Sequence, residues 1–171
     1  RAVVIRAYAF AFVPEDGAPL HTGNAAVVSD LPGALLHNSS HNFICKNIHL
    51  TPGMLDSAIT ADLDMTKAYK IPIAHGEGRY HADEDTLNRL DDNGQVLFYY
   101  CDEQAKVTDA SNPNGSIDNI AGVCNARKNV MGMMPHPERV FRTVQHSWHP
   151  EDWNEDAPWL RFFRNARVWV D

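Results

Sequence analysis

His136 and Glu138 stand two residues apart in the run Met133-Met134-Pro135-His136-Pro137-Glu138-Arg139. An imidazole beside a carboxylate can accept and return a proton near neutral pH. Its unperturbed pKa is about 6.5, and the acid both orients the ring and stabilises its protonated form. Pro135 and Pro137 each fix φ near about −65°, so the loop spends little entropy presenting His136 at one angle. The preceding run Asn129-Val130-Met131-Gly132-Met133 reads as a buried strand. It would deliver the pair to a loop at its C-terminal end, where open α/β sheets keep their active sites. A base steadied by an acid is two parts of a nucleophile–His–acid set. Buried His–acid contacts also serve structure alone, so the pair needs its third member.

No nucleophile is identified. A reactive thiolate wants a sharp strand-to-helix turn with small neighbours and a helix N-terminus to lower its pKa. Cys45 lies mid-strand between Ile44 and Lys46, Cys124 ends an apolar run, and Cys101 precedes Asp102, whose charge raises a thiol pKa. His75-Gly76-Glu77-Gly78 also ends a strand, so His75 and Glu77 are candidates to line the same cleft; the same residues also suit a plain tight turn. Their glycine spacing does not fit a dinucleotide-binding loop. His146 and His149 are spaced to ligate a metal, but no third ligand is near in sequence, and no metal site is assigned.

The elements that must hold these groups read as follows. Strands are expected over 42–50, 69–74, 95–100, 120–124 and 129–134, with 106–108 pairing with the third of these. A short helix is expected over 85–90. A second helix starts with Pro137 in its first turn and runs towards His146. The final helix has Asp156 as cap, Pro158 in its first turn, and Trp159, Phe162, Phe163, Ala166, Trp169 and Val170 along one stripe. Arg161, Arg164 and Arg167 line another face, either solvated or a docking surface for an acidic partner. Residues 1–30 hold one apolar run from Arg1 to Val13 and a turn at Pro14-Glu15-Asp16-Gly17, and stay unassigned.

At 171 residues the chain fits one domain with a real core, and its 44% apolar share is ordinary for a globular protein. A net charge of −7 argues against general affinity for nucleic acid or anionic membranes. No stretch of about 18 apolar residues is present to span a bilayer. Three widely spaced cysteines fit a reducing cytoplasm better than a disulfide framework. The opening residue is Arg1, which leads us to expect an internal fragment of a longer protein.

Met133 to Arg139, continued by Val140-Phe141-Arg142-Thr143-Val144, resembles the His/Glu segment of class I glutamine amidotransferases. More narrowly it is similar to the glutaminase part of phosphoribosylformylglycinamidine synthases. Ile73-Ala74-His75-Gly76-Glu77-Gly78-Arg79, Asn112-Pro113-Asn114-Gly115-Ser116, Ile120-Ala121-Gly122-Val123 and Ser147-Trp148-His149-Pro150-Glu151 with Trp159 to Arg167 follow in the family's order. The resemblance covers residues 31–171, which it implies are the C-terminal portion of such a domain. It implies an α/β, doubly wound, flavodoxin-like three-layer fold, here without the N-terminal strands and nucleophile elbow. It implies His136 and Glu138 as the catalytic pair and L-glutamine as substrate, with ammonia passed to a synthetase subunit or domain. That partner, and not this chain, would use ATP and Mg for amidination of formylglycinamide ribonucleotide in purine biosynthesis. Residues 1–30 contain no cysteine, so the chain alone is expected to be inactive. The alternative is a non-catalytic interaction module that docks on the synthetase.

Overall fold

The computed structural model describes residues 4–6 and 31–170. Apart from a strand at Val4–Arg6, the expectations for residues 1–30 lie outside the described residues. The strands are β1 (Val4–Arg6), β2 (Ala34–Leu36), β3 (Ile44–Pro52), β4 (Tyr69–His75), β5 (Arg79–His81), β6 (Val96–Cys101), β7 (Ile120–Cys124) and β8 (Val130–Met133). The helices are α1 (Glu84–Asp92) and α2 (Leu160–Val170).

Six strands form one sheet in the order β1-β8-β7-β6-β3-β4, and β2 and β5 form a separate ribbon. β1 runs parallel to β8 with Arg6 opposite Gly132. The pairings from β8 to β4 are antiparallel, and the short β7–β8 connection is of the kind only an antiparallel pair allows. The α/β class is therefore seen directly. Within the described residues, parallel pairing of the doubly wound kind is confined to β1 and β8.

Both faces of the sheet are covered. On one, Leu50, Ile71, Ile73, Tyr100, Met131 and Met133 pack with Trp159, Phe162 and Ala166 of the C-terminal segment. On the other, Val96, Ile120 and Val123 meet Leu35 and Tyr80 of the ribbon and Leu90 of α1. α1 starts where the Asp83 carboxylate accepts the Thr86 N–H at 2.8 Å, and Glu84 and Asp85 in its first turn suit the positive end of the helix. α2 is fixed from several sides. The Trp159 indole N–H donates to the Lys70 carbonyl at 2.7 Å and the Asn165 amide to the Ile59 carbonyl at 3.0 Å. On its outer face Arg161 lies 3.7 Å from Asp62 and Arg164 2.5 Å from Asp156, so these two arginines already have partners within the chain.

Three expected elements differ. The helix from Pro137 towards His146 is replaced by two 3-10 turns, Pro137–Arg139 and Thr143–Gln145. Between and after them the chain is extended, with Arg142 bridged to Asp156 and the Ala157 N–H donating to the Phe141 carbonyl at 3.0 Å. Val140, Phe141, Thr143 and Val144 are poor helix formers, and the tertiary pairing wins. Residues 106–108 do not join β6. The Asp102 carboxylate accepts the Gln104 and Lys106 N–H groups at 2.9 Å each and closes a tight side-chain turn instead. Asp156 does not cap α2, because its backbone is in the bridge and its carboxylate holds Arg164.

Phe162 is fully buried between α2 and the sheet. Phe162→Ala should cost about 3–5 kcal/mol of unfolding free energy. Urea unfolding of the full chain reads this as a lower midpoint; a loss below about 1 kcal/mol would contradict the docking described here.

Candidate functional site

β8 is buried throughout and ends at Met133, and the next three residues bring His136 to the end of the sheet. His136 is 2% exposed. The 3-10 turn at Pro137–Arg139 folds the Glu138 carboxylate back onto the ring, with Nδ1 and Oε1 2.7 Å apart. At that distance Nδ1–H donates to the carboxylate and Nε2 is the ring's basic nitrogen. The Glu138 side chain is about half exposed, at 49%. The stiff loop and the local turn thus suffice to bring the imidazole and the carboxylate together.

His75 closes β4 and is also buried. Its Nδ1 lies 3.0 Å from Oδ1 of Asn38, which also accepts the Gly78 N–H at 3.1 Å. The Asn38 amide nitrogen donates to the carbonyls of His75 (2.9 Å) and Asn42 (2.8 Å). Burial pushes the His75 pKa down to about 4, and the charge of His136 lowers it further in the same direction. The two rings are therefore close enough that charge on His136 opposes protonation of His75.

Together with Met134, two residues before His136, His75 at the end of β4 and Glu77 in the loop after it line a cavity of about 440 Å3 completed by His37, His41, Asn42 and Phe43. Glu77 sits at the rim, 3.5 Å from the half-exposed His37 ring. His136 is not among the lining residues. A larger cavity of about 610 Å3 is lined by Trp148, Trp153 and Trp159 and contains none of His75, His136 or Glu138; chemistry, not size, picks out the smaller one.

The cysteines do not complete the set. Cys45 is exposed on β3, opposite Ala74. Cys101 and Cys124 are buried, and burial pushes both thiols up to about 12, with Asp102 adding to the shift at Cys101. Neither is a thiolate at neutral pH. His146 and His149 stack around Trp153 and bond to the carbonyls of Val140 and Pro150. Among the described residues no group of three metal-ligating side chains occurs, and no helix is long and apolar enough to cross a membrane. Sequence reasoning missed Asn38, the most heavily bonded side chain of the site. Its only signal was a polar, turn-rich stretch between β2 and β3.

The sheet end thus carries a buried His–Glu pair near a second, neutral His, the kind of arrangement found in hydrolytic and group-transfer sites. A family model for the CobB/CobQ-like glutamine amidotransferase domain matches residues 19–170, and the chain belongs to that family. It is similar to the phosphoribosylformylglycinamidine synthase subunit PurQ of Aquifex aeolicus, 52% identical over 114 residues that make up 67% of this chain and 50% of the relative. The PurQ subunit of Thermosynechococcus vestitus is 52% identical over 110 residues, 64% of this chain and 46% of that one. The chain spans about half the length of the curated relatives it matches. Among solved structures, a chain in PurLQS from Thermotoga maritima superposes with a TM-score of 0.62 at 33% identity, covering 84% of this chain and 56% of that chain.

A Cβ built on Gly78 would stand 2.2 Å from Cε1 of His75. Gly78→Ala should therefore displace the ring and cost about 1–3 kcal/mol in urea unfolding, since overpacking strains a close contact; an unchanged midpoint would show that the ring has room to move. The depressed pKa of His75 also sets a pH dependence. The unfolded chain binds a proton near pH 6.5 that the folded ring refuses until about pH 4. The ring's contribution to stability is complete above about pH 6.5 and is lost as pH falls towards 4. His75→Gln should lose less stability than the parent between pH 7 and 4.5, and parallel curves would refute the assignment.

Proposed function

We propose that residues 31–171 correspond to the C-terminal portion of the glutaminase of phosphoribosylformylglycinamidine synthase, with His136 as general base and acid and Glu138 as its orienting carboxylate. The observation that carries this reading is the 2.7 Å contact between the two at the end of β8, in a chain about half identical to PurQ subunits over its matched length. In this reading L-glutamine is the substrate and a cysteine thiolate attacks its side-chain amide. His136 accepts the thiol proton and returns it to the departing ammonia. Water then releases glutamate, with the same ring taking and giving the proton. Ammonia passes to the synthetase partner, which uses ATP and Mg to form the amidine. The three free cysteines accord with a cytoplasmic setting.

The doubly wound, three-layer fold is part of the same proposal. Its support here is the parallel pair β1 and β8, in which the last residue of β1, Arg6, lies opposite Gly132 near the end of β8. In such sheets the nucleophile stands at that end. No cysteine occurs in residues 1–30, and the buried thiols of Cys101 and Cys124 are pushed up to about 12. This favours a second reading for the chain by itself: it docks on a synthetase and releases no ammonia.

Two measurements test these readings. Glutamate release from glutamine by the chain alone should fall far below about one turnover per second; a rate near that value would overturn its inactivity. A chimera with residues 31–171 in place of the matching stretch of the Aquifex aeolicus relative should hydrolyse glutamine. There His136→Ala should cut kcat by about 10^4-fold or more, and Glu138→Gln by less. A chimera that keeps its rate with His136→Ala would remove His136 from the mechanism.

A further inference from the structure

The amide of Asn38 has only one orientation that satisfies its surroundings. Its nitrogen faces two backbone carbonyls, those of His75 and Asn42, at 2.9 and 2.8 Å. Its oxygen faces the Gly78 N–H at 3.1 Å and Nδ1 of His75 at 3.0 Å. Flipping the amide would set N–H against N–H and carbonyl against carbonyl, so Oδ1 must be the acceptor and Nδ1 of His75 must carry the hydrogen. Asn38 itself is fully buried. The other ring nitrogen, Nε2, is then bare, and it is buried without a hydrogen-bond partner among the described residues. Such a group is costly unless something is meant to reach it. His75 lines the 440 Å3 cavity.

We propose that Asn38 is a positioning residue that locks His75 as the Nδ1–H tautomer, so that Nε2 is an acceptor for the N–H of a neutral amide and turns away a carboxylate. This rests on the glutaminase reading for the choice of ligand, and on the geometry alone for the tautomer. The chemistry is a matter of signs. A bare lone pair attracts an amide N–H, and it repels a carboxylate oxygen unless the ring first takes up a proton. His75 resists that protonation at neutral pH, because it is buried and shares its surroundings with His136. The other charged groups around it are Glu138 on the His136 ring, Arg79 after the Gly78 turn, and the Glu77–His37 pair with His41 at the mouth. The arrangement would thus separate an amide substrate from its acid product at a ring other than the proposed base.

Nitrogen-15 NMR of the histidine rings in the full chain tests this. At pH 7 the His75 ring should show a protonated Nδ1 and an unprotonated Nε2; the opposite tautomer, or an even mixture, overturns the proposal. Asn38→Asp keeps the shape but sets a carboxylate against Nδ1–H, and should raise the pH at which His75 takes up a proton by at least one unit. An unchanged titration overturns the positioning role, since a merely structural asparagine would leave that pH where it is. Should that variant fail to fold, the wild-type spectrum decides the tautomer alone. Added L-glutamine should shift the Nε2 resonance and added L-glutamate should not; equal responses, or none, overturn the ligand assignment. Failure of the glutaminase reading shows separately, as an inactive chimera with the tautomer intact.

Discussion

Two buried amides hold the loops of the site in place, and the remaining geometry follows from them. Asn38 ties the chain after β2 to the end of β4 and its following loop through three side-chain contacts, and a fourth reaches the Asn42 carbonyl. Asn114 approaches from the other side, donating to the Gly78 carbonyl at 2.7 Å and to the Tyr100 hydroxyl at 3.2 Å. Its own carbonyl accepts the Ser39 N–H at 2.9 Å. The segment 75–78 is therefore held from both flanks by groups that have no water to fall back on. Polar groups in this position impose one arrangement, because any slip leaves a donor or acceptor unmatched in a medium where that costs about 1–3 kcal/mol each. The rigidity of the His75 wall is a property of this network more than of the strand that ends there.

The two imidazoles of this region have different neighbours. His136 has an anion at 2.7 Å, whereas His75 has a neutral amide. Both are buried, so what differs between their surroundings is the charge of the nearest partner. The same logic disposes of the thiols. Cys101 and Cys124 are placed among apolar side chains, with no cation placed to stabilise a thiolate at Cys101 and with Lys128 offsetting only part of the burial at Cys124. They pack the sheet and are not poised as nucleophiles.

Much of this was legible in the residues, for reasons that can be stated. Strands β4, β6, β7 and β8 announced themselves by short apolar runs between turn residues, and α2 by its apolar spacing, since burial against one face enforces a period. His136 and Glu138 were legible because the turn that joins them is local. Asn38 was not, because its partners lie 37 and 40 residues away and no spacing in sequence encodes them. The helix expected after Pro137 failed for a related reason. A proline at the first position is a permissive signal, and the pairing of Phe141 and Arg142 with the chain near Asp156 is a distant contact that local propensity does not see. Asp102 shows the converse error, in which strand-like residues at 106–108 yield to a side chain that closes a turn four residues earlier.

The indole of Trp159 is 2% exposed and donates to a strand carbonyl, while that of Trp148 is 68% exposed. These two environments give the molecule a built-in optical reporter. A dry, hydrogen-bonded indole emits at shorter wavelength than a hydrated one, so detachment of the C-terminal segment from β4 would redden one component of the emission and leave the other where it was.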